Sequence, residues 1–582
     1  MKTQMAGQEQ AVSFEQQATG RYAALATQDL DLLVIGGGII GCGIARDAAL
    51  RGLKVALFEK EDFGSGTSSR STRLIHGGLR YLEQFDFGLV RQDLREREIL
   101  LKTAPHRVAP LRFLVPLYNR SLFYHARLRA GMLLYDLLSY DKSLPKHRFL
   151  SRAETLALEP GLAETGLQGA ASYYDAQCAF VERLCLDNVT DAVENGAQAY
   201  NHTEVIELRR EERRVTGLAV RDTLTGETVE VKCCQIVNAS GPWLDRLTGN
   251  LTGQSTRRLR LTKGVHFAAP SAVEHALVLF SQQDGRLFFV IPWLGNSWVG
   301  TTDTDYNGDP DTVCADAEDV RYLQAGVEPV LPCADWNRIY YTSAGLRALV
   351  RESRRNAPES DVSRKHRLVQ HTREEGWEGL YSVLGGKITA YRDIAEEVVS
   401  ALMNQWRQQY IAQLLADGQK PRLAPLIACS THKRPLPGGE LALDEKCLNE
   451  AHLRAKEIQI VTKQPHLTIS QVDNLIALYG ANVMHLLERL QTEPELSHPI
   501  AAPYPDLRIQ IAYAVQHEWA LTVSDFMLRR SMLGFTPDQG QAALEVVATE
   551  MGRLLGWDAG RIQHECAAYG AHIALTQAFR LE

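Results

Sequence analysis

Residues 31–43 read DLLVIGGGIIGCG, and the reading of this stretch with its flanks decides the fold. The apolar run Leu32 to Ile35 enters a glycine turn, Gly36-Gly37-Gly38, and leaves through Gly41 into the helix-like IARDAALRGL (44–53). KVALFEK (54–60) then supplies a second strand ending on an acid, Glu59. This is G-x-G-x-x-G inside a βαβ unit, with the acid at the roughly 20-residue distance that dinucleotide sites use. Gly36 makes the tight turn, Gly38 lets a pyrophosphate approach the backbone, and Gly41 lets helix and strand pack closely. The phosphates then lie on the positive end of the helix dipole. Glu59 would accept hydrogen bonds from the adenosine ribose hydroxyls, and its charge disfavours a 2′-phosphate.

With 582 residues the chain has room for two or three domains around this unit. A hydrophobic content of 45% with 23% charged residues is that of an ordinary soluble globular protein. The net charge of −7 gives no support to nucleic-acid binding. None of the ten cysteines forms a C-x-x-C pair, which argues against a metal or iron–sulfur cage and suits a reducing compartment. Residues 1–28 are polar, without the apolar core of a signal peptide, and are expected to be flexible. No apolar run approaches the ~18 residues of a membrane span. The expected location is the cytoplasm, either free or peripheral on the inner face of the cytoplasmic membrane.

The organisation expected is α/β plus α+β. A discontinuous Rossmann-type domain takes 29–115, 171–255 and 375–404, and an antiparallel-sheet substrate domain is interleaved at 116–170 and 256–374. Residues 405–440, ending in RPLPGG, have linker character, and 441–582 reads as an all-helical domain. LFYHARLRAGMLLYDLLSY (122–140) is amphipathic and basic. It suits either a cover for the substrate domain or a helix lying on an anionic bilayer.

Several further motifs follow the glycines in order: TSSRSTRLIHGGLRYLE (67–83), NASGPW (238–243), VGTTD (299–303), GLR (345–347), SRKH (363–366) and GGKITAYR (385–392). Together they resemble the FAD-dependent glycerol-3-phosphate dehydrogenases, HGGLRYLE being the most specific. LPGG (436–439) and HEWALTVSDFMLRRS (517–531) are similar to that family's C-terminal domain. The resemblance implies non-covalent FAD and hydride transfer from C2 of sn-glycerol 3-phosphate to flavin N5, with dihydroxyacetone phosphate as product. It implies a quinone as the acceptor of the electrons and leaves a homodimer open.

The residues support a site of that kind. Thr67, Ser68 and Ser69 offer hydroxyls and backbone N–H groups to a cofactor, and His76-Gly77 gives a flat ring room to approach. Val205, in TEV, would meet the adenine, and Ser240-Gly241 resembles a second dinucleotide contact. Gly386-Lys387 and Thr389 precede a helix and form another anion-ready start. For a phosphate dianion, Arg80, Arg347, Arg364 and Lys387 match the family's basic positions, Arg through bidentate contacts and Lys as a point charge. Tyr81 would hydrogen-bond the substrate or pack on it. His266, in LTKGVHFAAP, is the expected general base because imidazole titrates near working pH. Arg347 cannot readily lose a proton and would stabilise the developing alkoxide.

Asp303-x-Asp305-x-Asn307-Gly308 begins like a calcium loop, but position twelve is Cys314 instead of a bidentate Glu, so no metal site is expected. Two rival activities share these residues. One is an oxidase passing electrons to O2 and making H2O2; the other, disfavoured by charge and motif, is a flavin-dependent RNA-modifying protein.

Overall fold

A computed structural model describes residues 20–78, 82, 85–253, 256–351, 365–416, 426–440 and 467–581. The glycine motif lies where the βαβ reading puts it. Strand Leu30–Ile35 pairs in parallel with Val55–Phe58 on one side and with Thr228–Asn238 on the other. Helix Ile39–Leu50 makes the crossover. The sheet continues through Gln198–Tyr200 at one edge, and through Leu380–Leu384 and Arg367–Gln370 at the other. Its opening strand is apolar from Leu32 to Ile35, where both faces are covered. Leu32 and Val34 pack with helices Ile39–Leu50, Val181–Glu194 and Tyr391–Ala416, whereas Leu33 and Ile35 face the antiparallel strands Thr203–Glu211 and Arg214–Asp222.

A second, mostly antiparallel sheet is interleaved with the first. Its central order runs Leu259–Pro270, Asn296–Gly300, Leu287–Trp293, Ala276–Phe280, Val108–Tyr118 and Leu167–Cys178, and Tyr341–Val350 pairs with Leu259–Pro270. Period-two alternation divides its side chains between two cores. Phe113, Ala268 and Trp298 face helices Phe87–Thr103 and Leu122–Leu138, while Leu114, Phe267 and Val299 face helix Ala317–Val327. The described part of the C-terminal region is helical, with cores around Leu475, Leu486 and Leu507 and around Phe526, Val547 and Tyr569.

Several boundaries differ from those read in the sequence. Val108–Tyr118 and Leu167–Cys178 belong whole to the second sheet, paired over their full length, so the divisions at 115/116 and 170/171 fall inside strands. Arg367–Gln370, expected in the substrate domain, instead extends the nucleotide sheet. The local sequence pattern does not name the sheet a strand joins; that depends on its pairing partner, Leu167–Cys178 for the first of these strands and Leu380–Leu384 for the last. Residues 20–28, expected to be flexible, are anchored in their described part. Tyr22 and Leu25 are buried in the core, and the Tyr22 hydroxyl donates to Asp222 Oδ2 at 2.7 Å. The first residues of the expected linker continue helix Tyr391–Ala416. Its last part is docked: Leu436 is fully buried, and its N–H donates to the Thr103 carbonyl at 2.8 Å.

Candidate active site

A cavity of about 560 Å3 opens where the two sheets meet, at the carboxyl ends of the parallel strands. That is the position open α/β sheets use for ligands, and the size is typical of cofactor sites. Its wall includes Gly36, Gly38, Glu59, Thr67, Ser68, His76, Val205, Ser240, Gly241, Arg347, Gly386, Lys387 and Thr389, all expected from the sequence.

The glycine cradle depends on missing side chains. At Gly36, with φ +102°, a Cβ would lie 2.8 Å from the Ala239 carbonyl oxygen. At Gly41 it would lie 1.9 Å from the Gly36 carbonyl oxygen, so Gly41 closes the turn from behind and does not line the cavity. Gly38 caps helix Ile39–Leu50 with no side chain of its own, leaving that N-terminus directed at the cavity. Ser68 Oγ accepts from the Ile39 N–H at 3.0 Å and ties the serine-rich segment to it. Glu59 accepts from the Gly37 N–H at 2.7 Å and the Glu61 N–H at 3.0 Å. Burial pushes its carboxyl up to about 7 against those two bonds. Donors from a ribose would favour its ionised form. A glycine turn without Cβ atoms, a helix start whose cap residue has no side chain and a carboxylate beside them fit the pyrophosphate and ribose of FAD.

Elsewhere on the wall the chemistry turns basic. Arg347, from strand Tyr341–Val350, donates to Asp303 Oδ1 at 2.9 Å, Thr301 Oγ1 at 2.8 Å and the Thr302 carbonyl at 3.0 Å. It can lie there because Gly264 on the neighbouring strand has no side chain, and a Cβ would be 2.4 Å from Arg347 Nη2. Lys387 Nζ donates to Asp93 Oδ2 at 2.6 Å. Asp93 is fully buried, and burial pushes it up to about 6 although the Lys387 ammonium acts to lower it. The His76 N–H donates to Thr389 Oγ1 at 3.2 Å, joining HGG to the segment after Lys387.

Three expected site residues are placed differently. Ser69 Oγ donates to the Ser65 and Gly66 carbonyls at 3.1 and 3.0 Å, which steadies the loop. Gly77 packs on Leu94 and accepts no Cβ, and its N–H donates to the Tyr135 hydroxyl at 3.1 Å. His266 lies behind the wall, 2% exposed, stacked on Trp298 with ring centroids 5.1 Å apart. Its Nε2 is 3.0 Å from the hydroxyl of Thr72, which does line the cavity. Burial, with Arg347 and Arg73 adding, holds the imidazole well below its ordinary range. Arg80, Tyr81 and Arg364 lie outside the described residues.

Sequence reading missed Thr72, although it sits within the quoted TSSRST stretch. It also missed Lys60, whose ammonium lies 4.7 Å from the Trp243 ring centroid, with both residues on the wall. The only signal for that pair is their position past the ends of the two parallel strands that flank Leu30–Ile35.

Comparison with known proteins agrees with this geometry. A family model described as FAD dependent oxidoreductase matches residues 31–392, and one described as C-terminal domain of alpha-glycerophosphate oxidase matches 429–562. A glycerol-3-phosphate dehydrogenase of Synechocystis is 39% identical over 90% of this chain and 93% of its own length. The chain belongs to the FAD-dependent glycerol-3-phosphate dehydrogenase family. An aerobic glycerol-3-phosphate dehydrogenase of Staphylococcus haemolyticus is 32% identical, covering 92% of each chain. The structure of the Bacillus halodurans glycerol-3-phosphate dehydrogenase complexed with FAD superposes with a TM-score of 0.73 at 27% identity, covering 97% of this chain and 98% of that one. Membership makes the chain an FAD-dependent oxidoreductase, and the expected fold class holds.

Proposed function

We propose that this protein oxidises sn-glycerol 3-phosphate to dihydroxyacetone phosphate and passes the electrons to a membrane quinone. The observation that carries the reading is the convergence of Arg347 and Lys387 on the same cavity wall as the glycine cradle and His76. Bound FAD would supply the acceptor for the hydride of C2. Lys387, held by Asp93, attracts the substrate phosphate as a point charge, and Arg347 is aimed by Asp303 and Thr301 at the oxygen that becomes anionic. Arg80, Arg364 and Tyr81 belong to the same proposed substrate site.

Proton removal is assigned to His266 acting through Thr72. The substrate hydroxyl proton goes to Thr72 Oγ1 as the proton of Thr72 moves to His266 Nε2, across the 3.0 Å contact. An imidazole whose affinity for protons is lowered by burial is neutral at working pH, so the accepting nitrogen is available. The expected acid limb of the reductive rate therefore falls below the ordinary imidazole value of about 6.5. Anaerobic mixing of the holoenzyme with glycerol 3-phosphate, followed by flavin bleaching, tests both levels. Absence of bleaching would end the functional reading. Bleaching by His266→Ala at the wild-type rate would remove His266 and leave the rest.

A quinone is favoured over oxygen by one surface feature. Helix Leu122–Leu138 and the residues after it expose Leu122, Phe123, Leu133, Leu137 and Tyr140. Arg91, one turn from exposed Phe87, donates to the Leu138 carbonyl at 3.0 Å and so brings Phe85 and Phe87 beside this end. Arg120, Arg127 and Arg129 flank the apolar groups, the combination that binds an anionic bilayer surface. Flotation of the holoenzyme with anionic vesicles should be lost in Phe123→Glu/Leu133→Glu. Equal flotation of both proteins would remove this surface from the argument. Faster turnover with oxygen than with a quinone would favour an oxidase.

A further inference from the structure

The second large cavity, about 610 Å3, lies between the nucleotide domain, the second sheet and the C-terminal helices. Its wall is made by the Ser65–Arg73 segment, strand Tyr341–Val350 and helix Ala559–Thr576. Ser65 and Arg73 line this cavity and the cofactor cavity alike, so one short segment separates them.

The charges around it are unevenly matched. Asp62 is bound by Arg529 and Arg530, Glu182 by Arg73 at 2.7 Å, Asp525 by His202 and Arg529 at 2.9 Å each, and Glu565 by Arg561 at 2.7 Å. Asp311 is held by Lys60 and Arg246. Among the described residues the Arg70 guanidinium makes neither a hydrogen bond nor an ion pair; Glu61 and Asp311 attract it from beyond ion-pair distance. The backbone of Arg70 is seated against Gly345, where a Cβ would lie 2.5 Å from the Arg70 carbonyl oxygen. Across the cavity His572 also lacks an acidic partner. Burial lowers its imidazole to about 4, helped by the positive charges of Arg70 and Arg529. A neutral imidazole donates one N–H, and a guanidinium offers a planar fork matched to an oxyanion.

We infer that this interdomain cavity binds a phosphate group, with Arg70 and His572 as its ligands from opposite walls. An occupied site ties helix Ala559–Thr576 to the Ser65–Arg73 segment, beside the ion pairs that already dock the C-terminal helices. Nothing in this inference depends on the substrate proposed for the other cavity.

The test uses wild-type holoenzyme and two probes, inorganic phosphate and the ester glycerol 2-phosphate. His572 is half-buried and neutral, so it reacts with diethyl pyrocarbonate, and mass spectrometry of its peptide gives the rate. Millimolar probe is expected to slow carbethoxylation of His572 at least about threefold, about 0.65 kcal/mol by the tenfold-per-1.4 relation. Protection by inorganic phosphate points to the free ion as ligand, and protection by the ester alone points to a phosphorylated metabolite. Arg70→Met, or Arg70→Gln if that variant does not fold, should abolish protection while Arg70→Lys keeps part of it. Unchanged labelling of the wild-type enzyme with both probes overturns the inference, and so does full protection in the variant without the Arg70 charge.

Discussion

Lys387, the substrate ligand of the proposed function, has its direction set by another residue. Asp93 is fully buried on helix Phe87–Thr103, with Oδ2 on the ammonium at 2.6 Å and Oδ1 without a hydrogen bond. A buried carboxylate with one bare oxygen is expensive to keep charged, and the Lys387 contact is what offsets that expense. Asp93→Asn removes the counter-charge and frees the ammonium to swing. The KM for glycerol 3-phosphate should then rise about tenfold, the equivalent of one charge-assisted hydrogen bond of ~1.4 kcal/mol, with kcat less affected. The same pair gives a pH signature. Burial pushes Asp93 up to about 6, so acidification through that value protonates it and releases Lys387. The wild-type KM should climb as pH falls through 6. The substrate phosphate titrates nearby, so the informative quantity is the difference between wild type and Asp93→Asn, which should shrink at low pH. A difference that stays constant from pH 5 to 8 would dissociate Asp93 from substrate binding.

At the scale of elements, the βαβ unit was legible because its constraints are local. Turn, crossover helix and acid lie within one short stretch, and Gly36 and Gly41 meet backbone that leaves no room for a side chain. Gly41→Ala makes this quantitative. A Cβ 1.9 Å from the Gly36 carbonyl oxygen must push helix Ile39–Leu50 off the opening strand, at about 1–3 kcal/mol or more. The variant should purify largely without FAD and with a lowered Tm, whereas Gly570→Ala, with open space around its position, should do neither. Retained FAD in Gly41→Ala would mean that the helix shift is absorbed elsewhere. Other elements were legible as helices or strands but not in their partnership. The strands Val108–Tyr118 and Arg367–Gln370 carry no clean alternation that names a sheet; pairing with Leu167–Cys178 assigns the first and pairing with Leu380–Leu384 the second. His266 shows the same limit at the site. Its residue type and motif pointed to proton chemistry, but its place behind Thr72 follows from Gly300, where any Cβ would lie 2.2 Å from the imidazole. No local pattern around 266 carries that contact.

For the whole molecule, the C-terminal helices are fastened to the nucleotide domain by buried charge. Arg183 meets Glu518 at 2.6 Å, Arg529 and Arg530 enclose Asp62, and His202 meets Asp525 at 2.9 Å. HEWALTVSDFMLRRS thus supplies most of the docking groups, which is a structural role for a segment read in the sequence only as family-like. Of these pairs, His202–Asp525 is the one that contains a histidine. Burial by itself lowers the His202 imidazole, but the attraction and hydrogen bond of Asp525 outweigh it, and the net shift is upward. Asp525 is held well below the carboxylate range despite its own burial, chiefly by His202 and then by Arg529, so it stays ionised throughout. A histidine raised in the folded state stabilises fully below its unfolded value of about 6.5, and loses that contribution as pH rises through the folded value. His202→Gln should therefore lower Tm by an amount on the order of 2 °C at pH 6, and by clearly less at pH 9. Differential scanning fluorimetry of both proteins across that range gives the comparison. Equal destabilisation at both ends would mean that His202 acts as a neutral hydrogen-bond donor to Asp525, and that the docking of the C-terminal helices is insensitive to pH over this interval.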